Sequence, residues 1–327
     1  MRLVRRAALG ILAVAVMAAP CFAWAQQWSP ARVVKIVVPY PAGGPTDVIA
    51  RIVAEELRKP LGQNVIVENM PGASGSIGAR AVARAEADGH TIVFGNNQTH
   101  GNNMFLLREP GYDAIKDFAP LAGVGAFEHV FVVRNDLPVK SIPELIDLAR
   151  KDPEKLNYGS TGVGSGSHLA TELFLARTGV RMTHIPFKGA AQLVQELVGG
   201  HIDLSNSTLP SVLGQIQSGS IRALAIASPQ RNAQVPEVPT LREQGVTNAD
   251  AESWAAFFAP AATPQPALDR LSSEIVAILE KASVREQITK LGFSLKVREP
   301  AAFRAYHAEE QKNWAEIIKQ ARVPVDG

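Results

Sequence analysis

Two loops in this chain of 327 residues have the residue types and spacing for holding an anion. The first is "YPAGGPTD", Tyr40 to Asp47, set between a β-rich run and an amphipathic helical pattern. Gly43 and Gly44 can take positive φ and let a ligand approach the backbone. Thr46 or Asp47 can cap the helix that follows. The unpaired N–H groups and the dipole of such a helix favour a negative charge at its start. The second loop is "GSTGVGSGSH", Gly159 to His168, again between a β-run and a helical pattern. Ser165, Ser167 and the neighbouring backbone N–H groups are the makings of a neutral anion-binding nest. Each loop alone reads equally as a turn or flexible connection that holds nothing. Facing each other across a cleft, they would clamp one acid group or the two ends of a diacid.

Competing chemistries fail on spacing. "PAGGPTD" lacks the Gly-Lys-Ser/Thr ending of a P-loop, and "GASGSIG", Gly72 to Gly78, does not match the dinucleotide fingerprint. No serine sits in G-x-S-x-G, and no nucleophile–base pair is visible. The seven histidines are scattered without metal-ligand spacing. The sequence therefore points to no catalytic residue, metal or cofactor. Several single side chains have two readings each. His168 donates to an anion, or lies in the first turn of a helix. His100, in "NNQTHGNN", lines a cleft or sits in a polar surface loop. Lys188, in "PFKG", pairs with a carboxylate or stays solvated, and Tyr40 walls a pocket or packs on its lobe. Trp254 and Phe257–Phe258 read as core or hinge packing.

The elements that must position these loops alternate between β-rich and helical patterns. Strands are expected at 33–38, 65–68, 91–94, 130–133, 156–158, 182–185, 202–204 and 223–227. Helices are expected at 48–57, 77–85, 168–177 and 190–198, and from Ser141, which forms a capping box with Glu144, to Arg150. Thr263 and Pro264 open a helical tail, and Phe303, Tyr306, Trp314 and Ile317 place a last helix on the body. Such alternation gives an α/β fold with mostly parallel sheets and flanking helices. Ligands of such sheets sit outside the carboxyl ends of the strands. That rule selects the loops at 40–47, 70–78, 96–103, 159–168, 186–190 and 205–211. The length favours two domains. The expected division is a first lobe of 26–125 plus 254–327 and a second of 126–253. The chain would cross between them near 123–133 and return near 253–260, a hinge of two crossovers.

The first residues read as a secretory signal, 1–25, with a basic start, an apolar core and small residues at Ala23 and Ala25. The apolar run is short for a bilayer span, which takes about 20 residues. Arg5 and Arg6 raise the twin-arginine route, but the rest of that pattern is missing. Pro20 before Cys21 argues against lipidation. Cleavage after Ala25 leaves a chain without cysteine, hence without disulfide or thiolate chemistry. Of 33 Lys and Arg against 31 Asp and Glu, it also removes Arg2, Arg5 and Arg6, leaving 30 against 31. No polybasic face remains to favour nucleic acid.

A series of blocks then carries a resemblance: "VVPYPAGGPTDVIAR", "VIVENMPGASGSIGA", "DFAPLAGV", "LNYGSTGVGSGSHLATELF", "IPFKGAAQ", "GGHIDL", "IRALAIASPQR", "VPEVPTLREQG" and "FAPAATP". In this order the chain resembles the periplasmic substrate-binding proteins of tripartite tricarboxylate transporters, the Bug proteins, over nearly its whole mature length. The resemblance implies a two-lobed type II periplasmic-binding fold, a Venus flytrap. It implies capture of a small carboxylate, delivery to the membrane permease of such a transporter, a periplasmic location and a monomeric carrier. Carried over residue by residue, it makes Gly43, Gly44 and Thr46 contacts from the first lobe. Thr161, Gly164, Ser165, Ser167 and His168 become contacts from the second, partly through ordered water. Tyr40, Asp47, Lys188 and Ser207 complete the candidate set. One departure is noted. Relatives often carry an acid near Ser207, where this chain has Asn206, Ser207 and Thr208. The departure favours a ligand without a cation, such as a diacid or an aromatic acid. The alternatives are a sensor subunit that presents its ligand to a receptor, and an enzyme on the same fold.

Overall fold

The computed structural model describes residues 28–321 and 323. The leader read in residues 1–25, with Cys21 and the arginine pair, lies outside the described residues. The first part of the chain runs β1 (Val34–Val38), α1 (Pro45–Leu61), β2 (Val65–Asn69), α2 (Ser76–Ala83), β3 (Thr91–Asn96) and α3 (Asn103–Leu106). A strand of 17 residues, β4 (Phe118–Arg134), follows. The middle part runs α4 (Ile142–Lys151), β5 (Asn157–Ser160), α5 (Gly166–Thr178), β6 (Thr183–Pro186), α6 (Ala190–Val198), β7 (Leu204–Thr208), α7 (Leu209–Gln217) and β8 (Ile221–Ile226). The chain returns through β9 (Glu252–Pro260) to α8 (Gln265–Glu280), α9 (Ala282–Lys290), β10 (Ser294–Arg298) and α10 (Pro300–Ala321). Among the described residues no helix is long and apolar enough to cross a membrane.

Parallel pairing lies inside each lobe, as the βα alternation predicts: β1 with β2 and β3, and β5 with β6 and β7. The strands that carry the chain between lobes pair antiparallel, as do β8 and β10 with β4, so the sheet is mixed rather than mostly parallel. Phe118 to Glu128 of β4 lie opposite Pro260 to Glu252 of β9. From His129 onward the same strand pairs with β7 and β8 of the second lobe. The two crossovers therefore lie side by side as hydrogen-bonded strands, and the hinge is built from their ladder.

Each lobe has its own core. Ile49, Val53 and Leu57, one turn apart on α1, face Ile36 and Val38 of β1, with Leu271 and Ile275 of α8 completing the cluster. In the second lobe, "VFVV" (Val130 to Val133) is buried on both faces. Phe131 and Val133 pack toward Tyr158 and Phe174, and Val130 and Val132 pack toward Leu193 and Leu197.

Several elements depart from the sequence reading for physical reasons. Helix α1 starts three residues before the expected Val48, because Pro45 suits the first helical turn, and Gly44 is its N-cap without a side-chain cap bond. Ser141 does cap α4 by accepting from the Glu144 N–H at 3.3 Å. The Glu144 carboxylate reaches back to the Lys140 N–H at 2.7 Å, one residue earlier than the usual box. Strand β7 is displaced from the expected 202–204 because its pairing residues are Ser205, Asn206 and Ser207, buried but polar. Hydrophobic patterning does not detect such a strand.

Helix α10 touches both lobes. Phe303 and His307 pack on Trp254 and Phe258 of the first-lobe sheet. Trp314 and Ile318 lie in one buried cluster with Leu106 of α3 and with Leu169 and Ala170 of α5. Trp314 is only 2 % exposed. We expect Trp314→Ala to lower the unfolding free energy by about 3–5 kcal/mol, the usual range for a buried tryptophan truncation. Urea unfolding followed by circular dichroism measures this. A loss below about 1 kcal/mol would mean that α10 does not hold the second lobe.

Candidate functional site

A cavity of about 330 Å³ opens between the lobes, and four helices begin on its wall. Gly44, Pro45 and Thr46 bring the start of α1, and Ser165, Gly166 and Ser167 that of α5. Gly189 and Ala190 bring α6, and Thr208 and Ser211 bring α7. Lys188 is the only cation among the described residues that line the cavity, and no Asp or Glu lines it. Phe127, Pro41, Ala42 and Ala191 add apolar wall. Apart from Lys188, a positive potential here comes from peptide dipoles rather than from formal charge.

In the first jaw, Gly43 takes φ +82, where only glycine is unstrained, whereas Gly44 is extended with φ −78. The Gly43 N–H donates to Asp47 Oδ2 at 2.9 Å, and Asp47 also accepts from Arg51 Nε and Asn69 Nδ2, each at 2.9 Å. Burial pushes the Asp47 carboxyl up, but these bonds outweigh it and hold it below the usual carboxylate range. Asp47 thus fastens the loop from behind instead of capping α1. Tyr40 does both of its alternative jobs, lining the cavity and donating its hydroxyl to Asn96 Oδ1 at 2.6 Å.

In the second jaw, Ser165 is the N-cap of α5 and accepts from the His168 N–H at 3.2 Å. Its hydroxyl meets Ser167 Oγ at 2.9 Å, and Ser167 accepts in turn from the Thr161 N–H at 3.0 Å. Gly164 has φ +74 and donates its N–H to His168 Nδ1 at 3.1 Å. That ring is stacked on His184, with centroids 4.1 Å apart, and burial pushes its pKa down to about 3. His168 is therefore a neutral prop under the loop. The first lobe holds this loop across the cleft. Ser74 Oγ and Gln98 Nε2 donate to the Val163 carbonyl at 3.1 and 3.2 Å, and Asn102 Nδ2 donates to that of Gly164 at 3.0 Å.

Of the candidates read from the sequence, Tyr40, Gly44, Thr46, Thr161, Ser165, Ser167 and Lys188 line the cavity. Asp47, Gly164 and His168 stand one layer behind, and Gly43 is exposed beside the cavity rather than lining it. Ser207 is buried on β7, its hydroxyl 2.9 Å from that of Ser205, while the adjacent Thr208 reaches the cavity. His100 is neither in the cleft nor in a surface loop. It is fully buried, stacked on Phe258 with centroids 4.0 Å apart. The sequence reading passed over Asn97, Phe127, His129, Thr208, Ser211 and Ser253 as site residues. Asn97, Thr208 and Ser211 lie in loops that the strand-end rule had selected. His129 and Ser253 are 124 residues apart and carry no local signal.

Those two form a serine–histidine pair that spacing did not reveal, with His129 Nε2 2.8 Å from Ser253 Oγ. The partner of Nδ1 is the Asn206 carbonyl at 3.3 Å rather than a carboxylate. Complete burial pushes the ring's pKa down to about 4. An imidazolium there would be dry and unpaired, so the pair is poorly suited to act as base and nucleophile.

The buried neutral rings give the fold a pH dependence of definite sign. An unfolded histidine takes up its proton near pH 6.5. Folded His129 and His168 do so only near about 4 and about 3. Below 6.5 the unfolded chain therefore binds more protons, and stability falls as the pH drops toward 4. Each uncompensated ring contributes roughly 1.4 kcal/mol per pH unit. Glu172, whose carboxyl burial pushes up, works in the opposite sense near its own range. We expect the unfolding free energy to be about 2–4 kcal/mol lower at pH 5 than at pH 7.5. Urea titrations at the two pH values test this, and equal midpoints would contradict neutral burial.

Comparison with known proteins places this geometry. Residues 49–323 match the family described as the tripartite tricarboxylate transporter family receptor. Protein BugT of Bordetella pertussis (strain Tohama I) is 35% identical over 316 residues, 96% of each chain. The solved structure of R. palustris Rpa4515 with adipate superposes with a TM-score of 0.87 at 34% identity, over 90% of this chain and 99% of that one. That of the periplasmic binding protein BugD gives 0.85 at 34% identity, over 90% and 99%. The two-lobed fold, the hinge of paired strands and the helix-lined cleft therefore have their explanation in descent: the chain belongs to the tripartite tricarboxylate transporter receptor family, the Bug-type periplasmic binding proteins.

Proposed function

We propose that this protein captures a small carboxylate without a cationic group in the inter-lobe cleft and delivers it to the permease of a tripartite tricarboxylate transporter. The observation that carries this reading is the convergence of four helix N-termini on a cavity lined by no acid and, among the described residues, by a single cation, Lys188. An anion gains from each terminus, and a ligand ammonium would find no counter-charge. Rpa4515, similar in fold and sequence, was solved with adipate, which agrees with this class. The contacts assigned are Gly44 and Thr46 from the first jaw and Thr161, Ser165 and Ser167 from the second. Tyr40 walls the ligand, and Lys188 faces it from the rim. Asp47, Gly43, Gly164 and His168 serve by holding those contacts in place.

The energetics require several contacts at once. A helix terminus is worth roughly 0.3–1 kcal/mol, up to about 2 when partly buried. Micromolar affinity needs about 8 kcal/mol. Direct hydrogen bonds and closure of the lobes must supply the difference. In this reading residues 1–25 direct export and are removed, and the mature protein acts in the periplasm as a monomer. Its lobes, 26–125 plus 254–327 and 126–253, close about the β4–β9 ladder.

Gly44 gives a clean test. Its φ is −78, and a Cβ there would come no nearer than 3.7 Å to Pro41 O, so a side chain adds bulk at the cleft without backbone strain. We expect Gly44→Leu to weaken binding of the best acid in an aliphatic and aromatic carboxylate panel at least tenfold by calorimetry, with an unchanged circular dichroism spectrum. Unaltered affinity would remove the first jaw from the site. Small-angle scattering should show a smaller radius of gyration when that acid is added to wild-type protein, and an unchanged radius would count against closure.

A further inference from the structure

The clamp gives no task to the loop at 70–78, one of the strand-end loops of the first lobe. Its backbone is costly. Ala73 and Ser74 take φ +45 and +55, the left-handed region that residues with a Cβ rarely adopt. Such conformations persist only where the surroundings enforce them, and they collect at clamps and switches. The strand-end loop after β3 is irregular too. Gln98–Asn102 form a wide π-helical turn, broken at His100 with φ −109 and ψ 18. Turns of this kind are rare and gather at functional sites. The two segments brace each other. Asn103 Nδ2, just past the π-turn, donates to the Ser74 carbonyl at 3.0 Å and to Ser76 Oγ at 3.1 Å.

Both irregular segments deliver donors to one place. Ser74 Oγ and Gln98 Nε2 reach the Val163 carbonyl at 3.1 and 3.2 Å, and Asn102 Nδ2 reaches that of Gly164 at 3.0 Å. A carbonyl oxygen can only accept, so Gln98 and Asn102 must turn their amide nitrogens this way. The donors belong to the first lobe. The acceptors directly precede Ser165, the N-cap of α5 in the second jaw. Leu106 closes on the same spot, since a Cβ on Gly164 would lie 2.8 Å from its Cδ1. The three bonds therefore exist only while the jaws are together. Ser74 and Asn102 are not among the described residues that line the cavity, so their effect on a ligand passes through the jaw.

We propose that Ser74, Gln98 and Asn102 are positioning residues, a latch that holds the second jaw over the bound acid and sets how long the acid stays. The inference rests on the carboxylate reading and the lobe closure above, and it names the side chains that hold the closed form. An acid enters while the lobes are apart and the three bonds are unmade, so the latch leaves association alone. Release requires the lobes to part, and the Val163 and Gly164 carbonyls must then leave their donors. The latch acts on dissociation, where most differences in affinity reside. One neutral hydrogen bond of this kind changes an equilibrium about twofold to tenfold.

Ser74→Gly is the test, because it deletes the hydroxyl while relieving the positive φ. A latch and a merely structural brace then give different results. Rate constants are measured by stopped-flow mixing for the tightest binder among succinate, glutarate, benzoate and phthalate. We expect Ser74→Gly to raise the dissociation rate constant about threefold or more and to leave the association rate constant within about twofold. The thermal midpoint of the acid-free protein should stay level or rise. Asn102→Ala should also speed dissociation; if that variant fails to fold by circular dichroism, Ser74→Gly decides alone. An unchanged dissociation rate in Ser74→Gly would overturn the latch and leave the carboxylate clamp standing. Slower association with unchanged dissociation would overturn it too, since the loop would then shape the open jaw. A lowered midpoint without acid would make Ser74 a structural brace and overturn the assignment. Binding of none of these acids to the wild-type protein, nor of any in the wider panel, would overturn the underlying reading as well.

Discussion

The ladder between β4 and β9 is the interaction on which the rest depends. Backbone hydrogen bonds run from Phe118 opposite Pro260 to Glu128 opposite Glu252, and β4 then continues unbroken into the second sheet. One strand is thus shared by two cores. A strand can twist and bend about its own direction at small cost while its ladder stays paired. The lobes are therefore joined by an element that permits relative motion but keeps their register. Phe127 and Ser253 of that ladder, and His129 just beyond it, line the cavity.

The chemistry of the cleft follows from how the lobes use their helices. Each βα connection ends on the same side of its sheet, so helix N-termini gather at the strand ends. Four such starts meet around the cavity. Partial charges from peptide groups attract an anion without the strong, poorly reversible pairing of a buried formal charge. That suits the reversible capture proposed above. Formal charges nearby serve architecture. Asp47 ties its loop to Arg51 and Asn69, and Glu128 is bonded by Asn232 of the second lobe at 3.0 Å and by Ser294 of β10.

Contacts on the flanks also join the two lobes. Helix α10 joins the first-lobe aromatic cluster to α5, and Leu106 fits between them. Ser74, Gln98 and Asn102 hold the Val163–Gly164 turn from the opposite lobe. The apolar seam is buried, while the hydrogen bonds lie at the second jaw's loop. The neutral rings of His168 and His184 under the second jaw hold that loop without adding charge to the cleft.

Much of this was legible in the sequence because it is local. The alternation of β-rich and helical runs gave the class of fold. The run "VFVV" marked a strand, and "PAGGPTD" and "GSTGVGSGSH" marked loops before helices. What remained hidden was either polar and buried or distant in the chain. Strand β7 escaped because Ser205, Asn206 and Ser207 satisfy a sheet without looking apolar. Residues such as Asp47 and His168 have types that suit ligand contact, but whether a side chain faces the cleft or the loop behind it depends on partners such as Arg51 and His184. The pairing of His129 with Ser253 exists only because two strands far apart in sequence lie side by side. By itself the sequence determined most of the apolar strands, the amphipathic helices and the anion-favouring turns, since those depend on periodicity, glycine and proline within a few residues. Tertiary structure alone decided which polar groups face the cavity and in what protonation state, since burial and hydrogen-bond partners are set by chain segments that meet only on folding.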